Sequence, residues 1–257
     1  MAAVRWIRKA HRYLGLLVGV QLLAWTASGL YFAWNPIERV RGEDLAAEPE
    51  RWRSVPDGLL GPAAVLAAFY AAHPDTPEVM QLTLRPLLGE PVYEVAYRAS
   101  DRVRYALLDA RSGQLRSPIQ RQEAIRIAER DFLPEAPVRQ VRWIEQVEPG
   151  GEYRDKELPA WCVEFDHPTE TRIYVAAERG LVTARRNATW RVFDFLWMLH
   201  IMDYRDRTDF NHLLLRVLSV LGLLTVFSGL LLWAVTSPWL RRRSGRRQAA
   251  MRSSIQG

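Results

Sequence analysis

Five histidines, His11, His73, His167, His200 and His212, are the residues best placed to do chemistry. An imidazole changes charge near neutrality and ligates metals through either ring nitrogen. Three of them, His11, His200 and His212, border two long uncharged runs, Tyr13 to Ile37 and Val217 to Leu240. An ionisable group at such a boundary is a functional candidate. His11 also opens a stripe in which Gly15, Gly19, Leu22, Thr26, Gly29 and Ala33 follow at intervals of three and four, one face of a helix. His212, Ser219, Gly222, Val226, Gly229 and Trp233 make a similar stripe. Small residues in such rows let helices pack closely, and Gly15-x-x-x-Gly19 is a known contact pattern. They also leave room for a porphyrin plane beside an axial histidine, so packing and haem binding both stand as readings.

Geometry limits the pairing. A span crosses roughly 30 Å of hydrocarbon. With His11 at one face and His212 at the other, the two cannot share an iron within one chain. Two arrangements remain: His200 with His212 near the outer face, or His11 with His11 of a second copy near the inner face. Cofactors do sit between the facing helices of a bundle. An iron held by two histidines keeps no open position and carries electrons rather than oxygen. Arg205, Arg207 or Arg216 would then support a haem propionate.

The remaining chemistry is sparse. His73 and His167 each precede a proline and read as turn residues. Cys162 is the single cysteine, so the chain has no internal disulfide and no Cys-based haem attachment, and the thiol reads as a small core residue. There is no H-E-x-x-H, no phosphate loop and no credibly spaced triad, which argues against a hydrolase.

Two elements must position the boundary histidines. Both uncharged runs exceed the ~20 apolar residues that span a bilayer, and both are read as transmembrane helices, over 13–35 and 212–236. The first is too long for a signal peptide and lacks an A-x-A site, so it reads as an uncleaved anchor. Arg5, Arg8, Lys9 and Arg12 precede it, and Arg241, Arg242, Arg243, Arg246, Arg247 and Arg252 follow the second, with no acid in either tail. The positive-inside rule puts both tails (1–12 and 237–257) in the cytoplasm of an inner-membrane hairpin and exports the residues between the spans. The chain is +6 overall, so its basic excess lies in these tails. They point to anionic membrane lipid and not to nucleic acid. Residues 36–57 read as a linker. Residues 189–211, with the apolar stretch Val192 to His200, read as an interfacial segment.

Between them the chain repeats a pattern of one helix and three strands. In the first copy, 58–118, a helix over Ala63 to Ala72 precedes strands at Val79 to Leu84, Val92 to Arg98 and Arg104 to Asp109. In the second, 119–188, a helix over Arg121 to Phe132 precedes strands at Val138 to Val147, Ala160 to Phe165 and Arg172 to Ala177. The alternation suits half-buried antiparallel strands under a helix. The fold class is therefore membrane α with an extracytoplasmic α+β part.

The second copy resembles a PepSY module. The likeness rests on the helix Arg121 to Phe132, then Leu158-Pro159-Ala160-Trp161-Cys162-Val163-Glu164-Phe165, then Ile173-Tyr174-Val175 with Arg179-Gly180 and Val182 after it. The first copy is similar to a more divergent one. His11-Arg12-Tyr13-Leu14-Gly15-Leu16, Leu199-His200 and Ser228-Gly229-Leu230 with Trp233 resemble the PepSY-associated transmembrane family. The resemblance implies two spans flanking tandem PepSY-like modules. Larger relatives, with four or so spans, include ferrisiderophore reductases that carry b-type haem between helices. By that resemblance the chain is expected to be a haem b electron-transfer or reductase component linked to iron or siderophore uptake. With only two spans it needs a second copy or a membrane-complex partner to enclose the haem. The alternative it implies is a non-enzymatic anchor whose PepSY modules bind or regulate an envelope partner such as a peptidase.

Overall fold

The computed structural model describes residues 2–237. The chain divides into two compact units, residues 34–194 and a helical unit that joins the residues up to 33 to those from 195 onward.

The α/β unit opens with a short helix α2 (Ile37–Arg41) and a 3-10 turn (Glu43–Leu45). The expected linker is therefore partly ordered structure. Beyond the turn, Ala46 bridges Phe132, and the Ala47 N–H donates to the Asp131 carbonyl at 2.7 Å. Helix α3 (Pro62–Ala72) begins with proline at its first turn, where a missing N–H costs nothing. Strands β1 (Glu78–Leu87), β2 (Glu90–Ala99) and β3 (Arg102–Asp109) form an antiparallel meander in the order β1-β2-β3. The β1–β2 turn is Leu88-Gly89, both at positive φ, the primed geometry that matches strand twist. Val65 and Phe69 of α3 are fully buried on Tyr93, Val95, Ala106 and Leu108, one face of this sheet.

The second layer repeats the plan with one more strand. Helix α4 (Arg121–Asp131) starts with a reciprocal capping box between Gln120 and Glu123. Strands β4 (Val138–Ile144), β5 (Ala160–Phe165), β6 (Arg172–Ala176) and β7 (Leu181–Arg186) follow in that order across an antiparallel sheet. Three strands were expected; β7 is the addition. It closes on Arg185-Arg186. Those two cations are satisfied in the fold, Arg185 by Asp131 and Arg186 against the Trp190 ring at 4.2 Å.

Ala124, Ile127, Ala128 and Phe132 of α4 pack on Val163, Phe165, Ile173 and Val175, and Leu87, Val92 and Leu107 of the first sheet join the same core. Gly180 lies at that junction with φ +61°, and a Cβ there would meet Leu87 at 3.1 Å. The other face of the second sheet is crossed by the segment before β5. Tyr153 stacks on Tyr174 at 4.7 Å between ring centres, over Ala160, Cys162 and Ala184. Burial pushes the Tyr153 hydroxyl up to about 12, against the pull of its Thr183 hydrogen bond. Burial also raises the Cys162 thiol, which fits the expected core role.

The helical unit contains α1 (Ala2–Trp34), α6 (Leu213–Thr236) and the C-terminal part of α5 (Ala188–Ile201). Both α1 and α6 are long and apolar enough to cross a membrane. Helix α1 begins well before the uncharged run, so Arg5, Arg8, Lys9 and Arg12 ride on its first turns. The expected interfacial segment divides into α5 and a loop. In that loop the Asp203 carboxylate accepts the N–H groups of Arg205, Asp206, Thr208 and Asp209 at 2.9–3.2 Å. Burial raises the Asp203 carboxyl, but the four N–H donors outweigh it and hold it at about 2. The cytoplasmic reading of 238–257 falls outside the described residues.

Candidate functional site

Polar side chains inside an apolar helix pair are costly unless each finds a partner. In the helical unit the partners converge on two histidines. His11, on α1, places Nδ1 2.9 Å from Ser228 Oγ on α6. Its ring lies over Gly229, where a Cβ would come within 3.0 Å of Cε1. Glycine at 229 is thus required by the histidine itself. The Ser228 hydroxyl also donates to the Thr225 carbonyl at 2.8 Å.

His200, at the end of α5, places Nδ1 2.7 Å from Ser28 Oγ on α1. Ser28 is fully buried and donates to the Trp25 carbonyl at 3.1 Å. The backbone that carries His200 is tied as well. The indole N–H of Trp25 donates to the His200 carbonyl at 2.6 Å, and the Gln21 amide donates to the Leu199 carbonyl at 3.0 Å. The imidazole sits among Phe32 at 5.6 Å, Trp25 at 6.4 Å and Trp197, stacked at 5°. Burial pushes His200 below its ordinary value.

His212 is differently employed. It caps α6, with Nδ1 accepting the Leu215 N–H at 3.3 Å and Nε2 facing the Ile201 carbonyl at 2.8 Å. Both nitrogens are thus used by the backbone, and His212 does not join His200 as a second ligand. Of the glycines, Gly222 and Gly229 on α6 face α1, the former against Leu22 and Trp25 at 3.4 Å. Gly15 and Gly19 on α1 have nothing within 4 Å of a Cβ. Gly222 and Gly229 are thus covered inside the chain, while Gly15 and Gly19 are not. In the α/β unit His73 stacks on Phe69 at 4.3 Å, and His167 bonds Thr169 at 2.7 Å, both in local structure as expected.

Sequence reasoning missed Ser28, Ser228, Trp25 and Gln21. The signal was there, since polar side chains in a run destined for lipid need partners, but the partner is set by helix register. Among the described residues no three His, Cys, Asp or Glu side chains converge to hold a metal ion. His11 and His200 are held by separate serines, and Ser28 stands seventeen residues beyond His11 on α1, about 25 Å at ~1.5 Å per residue. A lone imidazole suits a metal whose other positions are filled by its own cofactor, as in haem.

The chain matches the PepSY-associated TM region over residues 8–252. No curated protein and no solved structure matches it. With that match over nearly its whole length and two helices able to cross a bilayer, the chain is a membrane protein belonging to the PepSY-associated TM region family.

Proposed function

We propose that this protein is an inner-membrane electron-transfer component that binds b-type haem through His11 near one face of the membrane and His200 toward the other. One observation carries the reading: each of these histidines has Nδ1 tied to a serine while Nε2 has no hydrogen-bond partner among the described residues. Metal-ligating histidines are usually held this way, by an outer partner on the second nitrogen. Bound haem iron would supply one-electron chemistry. The protein's part is to hold the imidazoles oriented, and to exclude water with Trp25, Phe32 and Trp197 around His200. Since the two sites are about 25 Å apart along α1, each needs its second axial ligand from another chain. The open Gly15 and Gly19 face favours a second copy in that place, a homodimer of four spans.

The basic tails favour an orientation with both chain ends in the cytoplasm, and in this reading the two helix-on-sheet layers are tandem PepSY modules outside it. An electron donor inside and an iron-bearing acceptor outside fit that orientation. Oxidised and dithionite-reduced spectra of the protein from haem-replete cells test the proposal. A sharp reduced α-band that weakens in His11→Ala and in His200→Ala, and is unchanged in His212→Asn, is the expected result. A featureless spectrum would overturn it and turn attention to the α/β unit as a binding module for an envelope partner.

A further inference from the structure

We infer that Ser28 and Ser228 are positioning residues that lock His200 and His11 in the Nδ1–H tautomer, so that each Nε2 presents a bare lone pair to a ligand. The functional half of this inference rests on the haem reading; the tautomer itself does not.

The argument needs only heavy-atom positions. A serine hydroxyl has one proton and two lone pairs, and a backbone carbonyl can only accept. Ser28 Oγ lies 3.1 Å from the Trp25 carbonyl and Ser228 Oγ lies 2.8 Å from the Thr225 carbonyl, each three residues back on its own helix. We assign the single hydroxyl proton to that carbonyl, which has none of its own to give. What Oγ then offers to the histidine, at 2.7 Å and 2.9 Å, is a lone pair. Two lone pairs facing each other would repel, so Nδ1 must bring the proton. A neutral imidazole has one N–H, which leaves Nε2 unprotonated.

The device occurs twice with no shared residue. A carbonyl, a serine and a histidine line up as Trp25–Ser28–His200 and as Thr225–Ser228–His11, with the serine on one span and the histidine on another helix. His212 is set the opposite way. Its Nδ1 accepts an N–H and its Nε2 faces a carbonyl, so the proton is on Nε2. Of the three histidines in the helical unit, two therefore offer a ligand nitrogen and one does not.

The test is nitrogen-15 NMR of histidine-labelled full-length protein in lipid nanodiscs without haem, assigned with His11→Gln and His200→Gln. His11 and His200 are expected as Nδ1–H tautomers and His212 as Nε2–H. The wild-type spectrum alone decides this, whatever happens to a variant: Nε2–H at either His11 or His200 overturns the inference. Ser28→Ala and Ser228→Ala should each release one histidine into a mixture of tautomers, and Ser228→Thr, which keeps the hydroxyl, should preserve it. Alanine variants with unchanged tautomers would equally overturn the role of the serines. In haem-loaded protein, each alanine variant should lose haem affinity by about 10–100-fold, with Ser228→Thr near wild type. A wild type that binds no haem but shows these tautomers defeats the proposed function and leaves the inference standing. A haem protein with the wrong tautomers does the reverse.

Discussion

The two units secure their polar groups by opposite means. In the α/β unit the buried acids are held by charge. Glu94 lies between Arg85 at 3.0 Å and Arg179 at 2.8 Å, and Arg179 stacks over Tyr105 at 4.1 Å and reaches Glu157 at 2.9 Å. Asp131 pairs with Arg185, Asp194 with Arg154, and Glu152 with Arg191 and Arg172. In the helical unit single hydrogen bonds tie the helices together, among them His11 to Ser228, His200 to Ser28, Trp25 to a carbonyl and Gln21 to another. The cost of an ion without water explains the difference. A charge pair at the rim of a water-exposed unit keeps some solvation; in lipid the same pair would lose nearly all of it. Polar specificity between spans therefore rests on a few neutral bonds.

The largest effect should come from unbalancing the charged network. Glu94→Ala leaves Arg85 and Arg179 facing each other without their shared carboxylate, and should cost about 3–5 kcal/mol. Denaturant unfolding of the full chain in micelles, followed through the sheet signal, checks this. Arg98 and Glu78 also pair at 3.0 Å, but half or more of each side chain is exposed, and Glu78→Ala should cost no more than about 1 kcal/mol. Equal losses would erase the distinction between buried and surface charge.

Next come the glycines of the spans. Gly229→Val drives a side chain into the His11 ring and should destabilise the helix pair by about 1–3 kcal/mol. Gly19→Ala meets nothing within its own chain and should leave the α1–α6 pair unchanged or up to about 1 kcal/mol more stable. Reversible unfolding in mixed micelles distinguishes them, and a reversed order would mean that α1 uses its open face inside the chain. Trp25→Phe, which removes only the N–H bound to the His200 carbonyl, should cost about 0.6–1.7 kcal/mol in the same assay.

The smallest effect is one of pH. Burial raises the Glu152 carboxyl, but Arg191, Arg172 and the Tyr174 hydroxyl outweigh it and hold it below the usual carboxylate range. A depressed folded value contributes stability above the unfolded pKa of about 4.3, and that stability is lost as pH falls through the folded value. The thermal midpoint of the α/β unit should hold between about pH 7 and 5 and decline below that. Glu152→Gln should start lower and show a flatter decline.

Much of this architecture could be read from residue order. Two uncharged runs named α1 and α6, and alternation located β2, β3, β5 and β6, because both signals are local. The contacts that define the site are not local. Ser228 is one of several small polar residues on α6, and only the register against α1 selects it as the partner of His11. Likewise the glycines of the two spans look alike as strings, yet Gly222 and Gly229 are met by Leu22, Trp25 and His11 while Gly15 and Gly19 meet nothing within 4 Å. His212 was grouped with the ligands because it stands at a span boundary. A boundary is also where a helix needs an N-cap, and that need claimed its ring. Glu94 gave no sign of being buried, since its arginines come from another strand and from a turn far along the chain.

The loop after α5 takes its shape from one carboxylate. Asp203 gathers four backbone N–H groups, and none of the bonds that set the turn uses the side chains of Tyr204, Arg205 or Asp206. Shape and surface are thereby separated. Those three positions can drift through evolution, or be rewritten by an engineer, to greet a different neighbour while the path into α6 stays as it is. Position 203 would resist exchange.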